Sequence, residues 1–71
     1  MLKQIRYFQT VVRLGSFTEA AEECYISQSA ISQQIQALEQ ELGVKLLERR
    51  NRKFTLTPAG EHFYEKSLLL T

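Results

Sequence analysis

Seventy-one residues, a net charge of +1 and a single cysteine leave room for one small domain and no intramolecular disulfide. One histidine beside that cysteine cannot furnish a Cys/His zinc site, and no apolar run reaches membrane-spanning length. Met1-Leu2-Lys3-Gln4 leads into no signal-peptide core, so a reducing, cytoplasmic setting is expected.

Leu2, Ile5, Phe8 and Val12 recur at helical spacing and Gly15 supplies a stop, which predicts a first helix. Ser16-Phe17-Thr18-Glu19 is a capping box, with Ser16 as cap and Glu19 three residues later. Phe17, Ala20, Ala21 and Cys24 then form one face of a short second helix, whose alanines let a neighbour approach closely. Tyr25-Ile26-Ser27 has room only for a tight turn, and Ser27 is a good N-cap for a third helix. On that helix Ile31, Ile35, Leu38 and Leu42 fall within about 60° of arc, and Gly43 ends it. Two capped, amphipathic helices joined by so short a turn predict a helix-turn-helix.

Val44-Lys45-Leu46-Leu47-Glu48-Arg49 and Lys53-Phe54-Thr55-Leu56 flank Arg50-Asn51-Arg52, the pattern of a short two-stranded hairpin with a basic tip. Thr57 as N-cap and Pro58 at the first helical position restart a helix. Ala59, Phe63, Ser67 and Leu70 give that last helix an apolar stripe, which Leu68 and Leu69 broaden. A helix apolar over so much of its circumference needs a partner on more than one side. The first helix supplies one, and a second copy of the chain is the simplest other.

Charge is placed unevenly. Residues 45–58 carry Lys45, Arg49, Arg50, Arg52 and Lys53 against Glu48 alone, a local +4, whereas residues 28–44 carry Glu39 and Glu41 and no base. Concentrating like charge in a tight turn is costly without a polyanion. The third helix differs in kind. Opposite its apolar stripe stand Ser29, Ser32, Gln33, Gln36 and Gln40, all neutral and all able to donate and accept hydrogen bonds. The major groove of DNA presents such a code: Gln can pair with adenine N6 and N7, and Ser with several base edges. Affinity would then come from the basic hairpin and sequence preference from the helix, on separate elements.

Ser16-Phe17-Thr18-Glu19-Ala20-Ala21, Ser27-Gln28-Ser29-Ala30-Ile31-Ser32, Leu38-Glu39-Gln40-Glu41-Leu42-Gly43, Leu46-Leu47-Glu48-Arg49 and Leu56-Thr57-Pro58-Ala59-Gly60 together resemble the N-terminal domain of LysR-type transcriptional regulators, in order and across nearly the whole chain. The resemblance implies a mostly α, winged helix-turn-helix with a three-helix core, a short β-hairpin wing and a C-terminal linker helix. Residues 1–58 would form the DNA-binding domain, with the helix-turn-helix at about 18–37 and the wing at about 45–56. Residues 59–71 would begin the linker. The resemblance also implies homodimers or dimers of dimers on an interrupted inverted repeat, and a small-molecule effector bound by a C-terminal domain that is absent here. Carried over by position, Gln28, Ser29 and Ser32 would face bases or nearby backbone, Arg49 would stand beside the wing and Arg52 at its tip. Cys24 stands where the family usually has Leu, Leu47 where Phe is common, and Gln33 where Arg is frequent.

The candidate DNA-contacting set is therefore Thr18, Ser27, Gln28, Ser29, Ser32, Gln33 and Gln36 on the helices and Arg49, Arg50, Arg52 and Lys53 on the hairpin. Phe63, Ser67, Leu69 and Leu70 are the candidate dimer contacts. No cofactor or metal is expected. An enzyme is disfavoured because no acid–base pair, metal cluster or glycine-rich phosphate loop is present. The stronger rival is a protein-interaction module that keeps the helix-turn-helix shape without binding DNA; the basic hairpin speaks against it. Arg49 has a rival role as an ion-pair partner. Cys24 is expected in the core.

Overall fold

The computed structural model describes residues 2–50 and 53–70. Three helices come first: α1 (Leu2–Leu14), α2 (Phe17–Cys24) and α3 (Gln28–Leu42). A hairpin of β1 (Leu47–Arg50) and β2 (Lys53–Leu56) comes next, then α4 (Pro58–Ser67) and a 3-10 turn over Leu68–Leu70. The strands are antiparallel, with Leu47 opposite Leu56, Arg49 opposite Phe54 and Arg50 opposite Lys53.

Helix starts are set by the caps. Ser16, Ser27 and Thr57 are all extended, and each side-chain oxygen accepts an N–H three residues on, from Glu19, Ala30 and Gly60 respectively. Gly15 and Gly43 take the left-handed conformation that closes α1 and α3. Tyr25 does the same at the end of α2 with φ of 59°, an uncommon choice for a residue with a Cβ. Its N–H bonds back to the carbonyls of Ala21 and Glu22, and its ring is left 94% exposed.

The core lies where α1, α2 and α3 meet. Phe8, Val11, Ala20, Ile31, Ile35, Leu38 and Leu46 are fully or almost fully buried. Ala20 and Ala21 are the small surfaces on which the helices close. Cys24 is half-buried against this core. In α1 the buried side differs from the expected one: Val11 is buried, Val12 is half-buried and Leu2 is 65% exposed. The helix is covered from two directions, by α2 and α3 and by α4, which turns its buried arc.

Two further expectations are corrected. The hairpin strand starts at Leu47, not at Val44, because the Glu39 carboxylate accepts the N–H groups of Leu46 (2.8 Å) and Leu47 (3.1 Å). The approach to the wing is thus tied to α3 by a side chain. The last helix also ends earlier than its apolar pattern implies, at Ser67. Ser67 is 1% exposed; its hydroxyl accepts from Gln9 Nε2 (3.0 Å) and donates to the Tyr64 carbonyl (2.7 Å). It clasps α4 to α1 within one chain and does not stand on an outer face.

Candidate nucleic-acid interface

The functional face is assembled from α3, the turn before it and the hairpin. The start of α2 and the exposed flank of α3 form one wall of a cleft; the hairpin forms the other. Ser16, Thr18, Gln28 and Ser32 line the first wall, and Arg49 and Lys53 the second. Thr18 Oγ1 donates to Gln28 Oε1 (3.2 Å), so the Gln28 amide nitrogen remains to donate outward. Ser27 Oγ is occupied as the α3 cap and lies 3.3 Å from Ser29 Oγ. Gln33 is exposed further round the helix. Gln36 borders a second groove with Gln40, Lys45 and, again, Arg49. Gln28, Ser32 and Gln36 follow one another along α3 at i, i+4 and i+8; Gln28 and Ser32 open on one groove and Gln36 on another, with Arg49 reaching both.

Arg50 and Lys53 are exposed cross-strand neighbours at the last described pair before the hairpin tip. Like charges held this close repel, and a polyanion relieves the cost. Arg52, the expected wing-tip residue, lies outside the described residues. Arg49 has no carboxylate partner among the described residues, where the one ion pair joins Arg13 to Glu23 on the α1–α2 side. Its guanidinium carbon instead lies 4.3 Å from the centre of the Phe17 ring. Phe17 in turn meets Phe54 edge-on, at 5.4 Å between centroids.

Four contributors escape sequence reasoning. Phe17 lies beneath the Arg49 guanidinium with Phe54 against its edge, and Glu39 binds the N–H groups at the hairpin base. Lys45 adds a cation beside Gln36. Only Lys45 has a visible signal, its membership of the basic segment. Among the expected dimer contacts, Phe63 is half-buried against Phe8 (5.7 Å between centroids) and Leu69 is 77% exposed; the Leu70 side chain lies outside the described set. Among the described residues, no helix is long and apolar enough to cross a membrane, and no three potential metal ligands gather.

A helix pair across a tight turn, a supporting α1 and a basic hairpin beside the second helix define a winged helix-turn-helix of the DNA-binding kind. A family model described as "Bacterial regulatory helix-turn-helix protein, lysR family" matches residues 2–61, and the chain belongs to that family. The HTH-type transcriptional regulator BenM of Acinetobacter baylyi is 48% identical over 69 residues, covering 97% of this chain and 23% of its own length. The glycine cleavage system transcriptional activator of Escherichia coli is 46% identical over 63 residues, covering 89% of this chain and 21% of its own. This chain thus spans less than a quarter of the length of these curated relatives. Among solved structures, the BenM DNA-binding domain in complex with catB site 1 DNA superposes with a TM-score of 0.92 at 47% identity, covering 99% of this chain and 75% of that one. The CbnR DNA-binding domain–DNA complex gives 0.93 at 41% identity, covering 99% and 80%.

Proposed function

We propose that this chain reads double-stranded DNA for a transcriptional regulator, with α3 in the major groove and the hairpin on phosphates and the adjoining minor groove. The observation that carries this reading is the cleft with unlike walls. Neutral groups that donate and accept, Gln28 and Ser32, share a solvent-open cleft with the cationic residues Arg49 and Lys53. The first wall suits base edges and the second suits phosphate. The relatives solved with DNA support the assignment.

The parent protein is read as a cytoplasmic homodimer, or dimer of dimers, joined through the linker region that includes α4. Two copies of α3 then meet two half-sites of an interrupted inverted repeat, about 34 Å apart or a multiple of that distance. A small-molecule effector would belong to a further domain, and no catalysis is assigned.

Selection of bound duplexes from a random pool tests the reading. The expected result is enrichment of one half-site sequence, bound in a strongly salt-dependent manner. Recovery of no common sequence, with salt-insensitive association, would favour the interaction-module alternative.

A further inference from the structure

We propose that Phe17 is a positioning residue for Arg49, holding its guanidinium over the ring and ready for phosphate before DNA arrives. The inference rests on the DNA-binding reading above and adds a residue to it. Arg49 is exposed on β1, lacks a carboxylate partner among the described residues, and carries its guanidinium carbon over the Phe17 ring, 4.3 Å from the ring centre. Phe54 packs against the same ring: it is the cross-strand partner of Arg49, and its ring meets Phe17 edge-on at 77°.

The arrangement has a chemical logic. A stacked guanidinium uses its face for the ring and keeps its edge N–H groups for acceptors. Arg49 lines the cleft that holds Gln28 and Ser32. A long side chain otherwise surrenders rotamer freedom on binding, and holding it in place beforehand removes that loss from the binding step. The pair also joins two elements far apart in the chain, α2 and the wing, so the distance from Arg49 to α3 is set by packing. An aromatic ring is required for this, whereas a merely structural role would be met by an apolar side chain of similar size.

The test combines side-chain NMR of the free protein with binding to the tightest duplex selected from a random pool. In the free protein the Arg49 side-chain resonances should be shifted upfield by the ring, and the shift should vanish in Phe17→Leu. Phe17→Leu should weaken binding about threefold to tenfold, the range of a partly desolvated cation–ring contact. Phe17→Tyr should restore it. In an Arg49→Ala background, Phe17→Leu should cost nothing more. Arg49→Lys, an exposed change that does not depend on how α2 tolerates substitution, should lose most of what Arg49→Ala loses. Additive losses, or full binding by Arg49→Lys, would overturn the positioning role while leaving DNA binding intact. A wild-type chain that shows the upfield shift yet binds no duplex would overturn the DNA reading, and the positioning role with it.

Discussion

The Glu39 carboxylate on α3 holds the backbone of Leu46 seven residues later, accepting its N–H at 2.8 Å and that of Leu47 at 3.1 Å. One side chain therefore fixes where the hairpin leaves the helix that carries the recognition face. Glu39→Ala leaves two backbone donors without this partner. It should destabilise the domain by about 1–3 kcal/mol, with faster hydrogen exchange at the Leu46 and Leu47 amides. Glu39→Gln, which retains one acceptor oxygen, should lose less. Denaturant unfolding of the three proteins measures the order.

Gly60 sits where α4 crosses the hairpin base. A Cβ there would lie 2.0 Å from the Leu46 carbonyl oxygen, so backbone must move to admit it. Gly60→Ala should destabilise by about 1–3 kcal/mol despite alanine's better helix propensity. A neutral or stabilising result in thermal unfolding would show that α4 can shift freely against the hairpin.

Readout by α3 predicts a difference between sequences. Gln28→Ala or Ser32→Ala should lose about 1–3 kcal/mol on the selected site and much less on random duplexes. Competition binding distinguishes this from a uniform loss, which would mean that neither residue reads bases.

Electrostatics predicts the opposite pattern for the wing. Binding should fall with salt at a log–log slope of about −0.9 per neutralised phosphate. Arg50→Ala should weaken all duplexes together and reduce the slope's magnitude by about one such unit. An unchanged slope would remove Arg50 from the interface.

Leu69, 77% exposed just after α4, is the residue best placed for a second chain. Sedimentation should reveal concentration-dependent association that Leu69→Glu abolishes, with the circular dichroism spectrum unchanged. Strict monomer at millimolar concentration would rule out this surface.

The helix starts are legible in the sequence because caps act within a few residues of themselves: Ser16, Ser27 and Thr57 each bond three positions along. The buried stripe of α3 is legible for the same reason. What stays hidden depends on contacts between distant positions. The pattern from Val44 onward suggests a longer strand, but the Leu46 and Leu47 donors belong to Glu39. Ser67 looks like part of an outer stripe, but it bonds Gln9 on α1. Arg49 can be named as a functional cation, yet nothing local says that it rests on Phe17, since their proximity exists only once α2 and the hairpin are packed.

The Thr57 hydroxyl donates to the Lys45 carbonyl (2.6 Å) while accepting from Gly60, and the Thr57 N–H donates to the Leu46 carbonyl (3.0 Å). The start of α4 and the root of the hairpin are thus tied together through one residue. Tilting α4 would swing Arg49 and Arg50 with it, as a crank turns its handle. In any assembly built through that helix, the angle at which two copies cross would set the reach between their wings, and so the spacing and bend of the duplex they can straddle.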